Sequence, residues 1–194
     1  MTDYKEIKVS REGRVATIEF NRPEHLNSFS AGLKRECTDA FNSLALDGSV
    51  GCIVLTGAGK HFCAGANIAE LKENIDNGTR ITPEAAHLTI EWVRAIRRCL
   101  KPVIAMVNGA AMGGGAAIAS ACDYRFMDPN GKFGMAFVNM GLSCDSGSMY
   151  SLSRVIGCSR AVELIMSGEI VKADRAEKLG WARLTECGEL REET

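Results

Sequence analysis

One stretch constrains the fold of this chain more than any other: Lys101 to Asp123, KPVIAMVNGAAMGGGAAIASACD. Val103 to Val107 is a short apolar run rich in β-branched residues, which predicts a buried strand. Asn108-Gly109 breaks it. The triplet Gly113-Gly114-Gly115 follows, and the small residues Ala116 to Cys122 predict a helix packed tightly against neighbouring backbone. Three glycines at a helix start remove every side chain where N–H groups point outward. A polarised oxygen can bind there.

The flanking segments alternate strands with helices. Arg14 to Phe20 alternates as a strand, and Asn21-Arg22-Pro23 ends it. Apolar residues at Leu33, Cys37, Ala40, Phe41 and Leu44 predict an amphipathic helix over 31–46. Gly51 to Thr56 reads as a second buried strand. Its exit, Gly57-Ala58-Gly59-Lys60, has the wrong glycine spacing for a phosphate-binding P-loop, and His61 stands where Ser or Thr is required. A second small-residue loop, His61 to Ile68, leads into a helix or turn through Ala69-Glu70-Leu71. Lys72 to Ile81 is polar and reads as a mobile stretch. Thr82-Pro83-Glu84 predicts a helix start with Thr82 as cap. That helix should run to about Leu100, burying Ala86, Ile90, Val93, Ile96 and Leu100 and exposing Arg94, Arg97 and Arg98.

Beyond the glycine triplet, Tyr124 to Met127 reads as a strand and Asp128 to Gly131 as a turn. Lys132 to Met140 should be extended. Short helices are expected over 146–156 and 159–166, and Asp174 to Glu177 resembles a capping box for one more. The alternation predicts an α/β fold with largely parallel strands.

Composition excludes several classes. The 194 residues are 46% hydrophobic and 24% charged with a net charge of −1, so nothing favours nucleic acid or an anionic membrane. The longest apolar run is interrupted by Asn108 and glycines, which argues against a membrane span. No signal peptide is visible at the N-terminus. Eight cysteines are scattered without any C-x-x-C pair. They read as thiols in a reducing cytosol rather than zinc ligands or disulfides, giving no metal site and a cytoplasmic location.

The two small-residue loops make sense together. If Ala66 and Gly114 both present N–H groups to one point, they form an oxyanion hole for an acyl carbonyl oxygen. The bland alternative is that small residues merely allow close packing. Ile53-Val-Leu-Thr-Gly, Phe62-Cys-Ala-Gly-Ala-Asn-Ile, Lys101-Pro-Val-Ile-Ala-Met-Val-Asn-Gly, Gly113-Gly-Gly and Ala121-Cys-Asp then occur in the order seen in the crotonase superfamily, the enoyl-CoA hydratase/isomerase group. The resemblance continues through Arg154-Val-Ile-Gly, Ala161-Val-Glu-Leu, Ser167-Gly-Glu and Ala176-Glu-Lys-Leu-Gly. It implies a crotonase-like ββα spiral with a largely parallel sheet core, formed as one domain over residues 1–194. The family's usual C-terminal helices are expected to be missing.

By that resemblance Ala66 and Gly114 are the oxyanion donors. Ala64, Ala66, Asn67 and Ile68, with Leu26 and Ser28, are similar to the wall that cradles CoA, and CoA belongs to the substrate, so no separate cofactor is implied. Asn67 stands where relatives usually have Asp. The two hydratase glutamates are replaced by Ala117 and Phe137, which argues against ordinary alkene hydration. Asp145 resembles an active-site aspartate of dienoyl-CoA isomerases and of 4-chlorobenzoyl-CoA dehalogenases, where it handles protons or attacks the ring. The dehalogenase histidine position is nearest Ile90, so His87, one turn away, would have to substitute. Asp145 could instead cap a helix ahead of Ser146.

His25 and His61 are further polar candidates. Met135, Phe137 and Met140 are expected to line an acyl pocket or simply pack in the core. Tyr150 lies near without an assigned role. The expected function is therefore acyl-CoA thioester chemistry with a stabilised enolate, isomerase-like or otherwise dependent on Asp145. The alternative is a non-catalytic CoA-binding or assembly protein. The implied partners are an acyl-CoA and copies of the chain in a homotrimer or hexamer.

Overall fold

The computed structural model describes residues 3–78, 83–186 and 190–193. A hairpin starts the fold: β1 (Ile7–Glu12) runs antiparallel to β2 (Val15–Phe20). β2 points Ala16, Ile18 and Phe20 inward, the alternation of a half-buried strand. α1 (Ala31–Leu46) then crosses to β3 (Cys52–Gly57), which lies parallel to β2. Ser30 caps α1 by accepting the Leu33 N–H at 2.9 Å, and the helix buries Leu33, Cys37, Ala40 and Phe41. β3 is an unbroken apolar run because it is covered on both faces.

After α2 (Ile68–Asp76) and α3 (Pro83–Arg98), β4 (Val103–Val107) pairs parallel with β3. The chain then winds between two sheets. β5 (Ala110–Met112) leaves the large sheet, α4 (Gly114–Ala121) follows, and β6 (Tyr124–Met127) returns beside β4. β7 (Lys132–Gly134) pairs with β5. α5 (Ser148–Ile156) and α6 (Cys158–Ser167) lead to β8 (Ile170–Lys172), antiparallel to β7. α7 (Ala173–Lys178), β9 (Arg183–Leu184) and α8 (Leu190–Glu193) follow. The large sheet has the order β1-β2-β3-β4-β6-β9 and the small one β5-β7-β8. One hydrophobic cluster joins both sheets, with α4 inside it and every α4 residue buried. This is the α/β, largely parallel ββα spiral that the motifs imply.

Several local expectations change. The helix after Ile68 continues through Asp76, so the first part of the expected mobile stretch is helical. Thr82 and Cys187 lie outside the described residues. α3 buries Thr89, Trp92, Ala95 and Ile96, while Ile90 is 44% and Leu100 97% exposed and Ala86 is also exposed. The buried face is set by Trp92, whose ring packs edge-on against Phe20 and Phe29. Only Lys132–Gly134 of the expected extended segment is strand, and Val138–Met140 is a 3-10 turn. α5 starts at Ser148, because Ser146 and Gly147 adopt left-handed backbone before it. α7 is preceded by Lys172 with no side-chain cap, so the capping box does not form. The described cysteines are all free thiols.

Candidate active site

The two small-residue loops meet edge to edge. Cys63 pairs with Ala111 as an isolated parallel bridge: its N–H donates to the Ala110 carbonyl at 3.1 Å, and its carbonyl accepts from Met112 at 2.9 Å. A methyl group on Gly115 would fall 2.2 Å from the Cys63 oxygen, so only glycine permits this approach. Gly65, at φ +78, lies just as close. A methyl there would sit 2.9 Å from the Gly114 nitrogen and 3.4 Å from that of Gly115. Ala66 is the next residue in the loop, so it follows directly on the point where Gly65 abuts the first turn of α4. Among the described residues, neither Ala66 N–H nor Gly114 N–H has a hydrogen-bond partner.

A third loop braces this arrangement. Leu26 and Asn27 both take left-handed conformations at φ 53. The buried Asn27 amide donates to the Ala58 and His61 carbonyls at 3.0 and 2.8 Å, and its oxygen accepts the Arg22 N–H at 3.0 Å. Leu26 oxygen accepts from Ala64 N–H at 3.0 Å, and Phe29 N–H donates to the Gly65 oxygen at 2.7 Å. Leu26, Ser28 and Ala64 are thus brought together; Leu26 is half exposed and Ser28 buried. Ile68 is exposed at the start of α2. Asn67 caps that helix, its Oδ1 accepting the N–H groups of Ala69 and Glu70 at 3.2 and 3.4 Å. The residue thus has a structural role that the resemblance alone did not supply.

Apolar rings flank the glycines. Phe29 is the nearest side chain to the Cβ position of Gly114, and Phe137 the nearest to that of Gly113. Ala117 is fully buried one turn into α4, its N–H donating to the Gly113 carbonyl at 3.0 Å. Ala117 and Phe137 therefore put hydrocarbon beside the triplet. Met135 is fully buried core and Met140 is 46% exposed.

Asp145 is exposed, and its carboxylate accepts the Ser146 hydroxyl at 2.8 Å. It does not cap α5 through its side chain. The residue at the cap is Gly147, and the Asp145 main-chain carbonyl accepts from Ser148 N–H at 2.9 Å. Ser146, at φ 54, occupies a left-handed region disfavoured for its side chain. Lys34, which the sequence did not single out, is a cation within electrostatic reach of Asp145. Its ammonium lies 5.5 Å from the centre of the Phe29 ring. Burial lowers its pKa below the usual lysine value, while the charges of Asp145 and Glu70 oppose that shift. No local pattern could have found it, because α1 and the loop before α5 meet only in three dimensions.

The other candidates are less engaged. His25 is exposed, 3.7 Å from the Glu24 carboxylate. His61 gives its carbonyl to Asn27, and its buried Nδ1 has no partner among the described residues. His87 is exposed on α3, and Tyr150 is exposed on α5. Among the described residues no group of three metal-binding side chains occurs, and no helix is long and apolar enough to cross a membrane.

Known proteins agree with this architecture. The family model for enoyl-CoA hydratase/isomerase matches residues 10–183. A short-chain-enoyl-CoA hydratase of Clostridium acetobutylicum is 36% identical over 180 residues, covering 92% of this chain and 67% of that protein. A trans-2-decenoyl-[acyl-carrier-protein] isomerase of Streptococcus mutans is 34% identical, covering 92% of this chain and 68% of its own. The crystal structure of an enoyl-CoA hydratase from Polaromonas sp. JS666 superimposes with a TM-score of 0.89 at 32% identity, over 96% of this chain and 73% of that one. This chain belongs to the enoyl-CoA hydratase/isomerase family, within the crotonase superfamily. It spans about two thirds of the length of these relatives.

Proposed function

We propose that this protein transforms an acyl thioester, binding the carbonyl oxygen at the Ala66 and Gly114 N–H groups and handling a proton at Asp145. The observation that carries the reading is the pair of N–H groups left without partners where Gly65 abuts α4. As a proton leaves the substrate, negative charge grows on the carbonyl oxygen, and donors already fixed in place favour that charge over the neutral ground state. Loss of one such donor costs about 3–4 kcal/mol of transition-state stabilisation in hydrolases.

Double-bond isomerisation is the reaction to test first. Asp145 takes a proton from one carbon of the acyl chain, the enolate forms, and the same carboxyl returns a proton to another carbon. The hydrocarbon of Ala117 and Phe137 fits this better than hydration, since neither residue can position or activate water. The named isomerase activity of the Streptococcus mutans relative supports the choice. CoA is the expected thiol carrier, held along Leu26, Ser28, Ala64, Asn67 and Ile68. No separate cofactor enters the reaction. A homotrimer or hexamer is proposed for the assembly, and analytical ultracentrifugation tests it.

The same hydrocarbon also supports a second reading, a CoA-binding or assembly protein without turnover. Exchange of the substrate's α-proton in deuterated water separates the two. Exchange with a bound acyl-CoA supports enolate chemistry, and its absence across a panel of bound thioesters supports the non-catalytic protein.

A further inference from the structure

The C-terminal end of α4 borders a cavity of about 330 Å³, within the range of small-ligand sites, formed with α3 and α5. Three guanidinium groups line it, those of Arg97, Arg125 and Arg154, against the single carboxylate of Asp123. That carboxylate is already engaged. One oxygen accepts the Val103 N–H at 2.9 Å and the other lies 3.5 Å from Arg97.

Arg125 and Arg154 have no carboxylate within 4 Å among the described residues. Arg125 is only 8% exposed, and burial lowers its pKa from the usual arginine value. Its Nε and Nη1 donate to the Trp181 and Cys122 carbonyls at 2.6 and 2.8 Å, which leaves further N–H donors on the same guanidinium. Arg154 lies over the Tyr150 ring, 5.4 Å from its centre. At that distance the guanidinium is within cation–π range of the ring, a contact that uses none of its N–H donors.

An independent feature points to a ligand. Ser151 also lines the cavity and is only 4% exposed, yet its Oγ has no hydrogen-bond partner among the described residues. A buried hydroxyl without a partner is costly, so such groups mark places where another polar atom belongs. We propose that this cleft binds a small oxyanion, a phosphate or carboxylate group, with Arg154, Arg125 and the Ser151 hydroxyl as its donors. Planar guanidinium groups suit both chemistries. The cleft is at the opposite end of α4 from Gly114, so the proposal is independent of the thioester reading.

Calorimetric titration of the 194-residue chain with inorganic phosphate, and separately with succinate, tests it. Chloride holds ionic strength constant. Saturable binding of either anion, weakened at least about tenfold by Arg154→Gln and about two- to threefold by Ser151→Ala, supports the site. The tighter of the two anions identifies the chemistry. Arg154 is exposed, so its variant is expected to keep the wild-type circular dichroism. If the variant nonetheless unfolds, the Ser151→Ala affinity decides alone. Failure of both anions to bind, or affinity unchanged in the folded variants, overturns the proposal.

Discussion

The two ends of α4 are built from opposite materials. At the start, Gly114 and Gly115 meet Gly65 and Cys63 largely through backbone, and the nearest side chains are Cys63 and the rings of Phe29 and Phe137. At the end, Arg97 donates to the Ala121 carbonyl at 3.1 Å and Arg125 to that of Cys122 at 2.8 Å. Helix polarity explains the difference. A helix C-terminus carries partial negative charge and is satisfied by cations, whereas its N-terminus carries partial positive charge and unmet donors. Here the protein supplies the cations and leaves the N-terminal donors without an anion of its own. On the proposed reading, the negative charge that belongs there comes from the reacting substrate.

Asp145→Asn gives the largest expected effect. Removing the only carboxylate proposed to handle protons should lower turnover about a hundred- to ten-thousandfold while thioester binding persists. Rates that stay at wild type would remove Asp145 from the chemistry and leave the N-terminal end of α4 as a binding surface alone.

A high-pH experiment probes both ends together. Burial pushes the Cys63 and Cys122 thiols from 9.0 up to about 12; Cys63 touches the start of α4 and Cys122 closes it. Each contribution to stability is fully present below pH 9, where both states are protonated. Above it the unfolded thiols ionise and the buried ones do not, so stability falls as pH rises towards 12, by a few kcal/mol in order of magnitude. Urea midpoints measured from pH 8 to 11.5 check the slope, which Cys63→Ser and Cys122→Ser should each reduce.

Gly115→Ala tests the contact between the loops. Its methyl group would meet the Cys63 carbonyl at 2.2 Å, so the two loops must separate. A loss of about 3 kcal/mol in chemical denaturation is expected. A loss below 1 kcal/mol would show that the loops yield easily and that the donors are not rigidly held.

These contacts also show what local sequence could reveal. The helix Ala31–Leu46 and the strand Val103–Val107 were legible because their own periodicity and β-branched content define them. β5 and β8 were not, since three residues carry no periodic signal and take their shape from pairing with β7. On α3 the spacing of Ala86, Ile90, Val93, Ile96 and Leu100 describes one apolar stripe; Ile96 is buried and Val93 packs on the core, but Trp92, seated against Phe20 and Phe29, rotates the buried face so that Ala86, Ile90 and Leu100 point outward. At the site, the glycine triplet and the Ala64–Ile68 loop stood out through density of small residues. Lys34 near Asp145 and the arginine cleft did not, because each assembles residues from separate elements.

The smallest effect concerns Asn67, which connects the loop bearing Ala66 to α2. Its Oδ1 accepts two N–H groups of the first helical turn, so Asn67→Ala should destabilise that end of α2 by about 1 kcal/mol. Asn67→Asp keeps the acceptor and adds a negative charge where the helix terminus favours one, so stability should hold or rise by up to about 1 kcal/mol. Hydrogen exchange of the α2 amides measures both. If the alanine variant weakens acyl-CoA binding only as far as it loosens α2, and the aspartate variant restores both, the residue acts through the cap. If thioester affinity falls in the aspartate variant while α2 stays protected, Asn67 faces the ligand directly. The wall beside Ala66 would then depend on a side chain, and the all-backbone description of the N-terminal end of α4 would need that one exception.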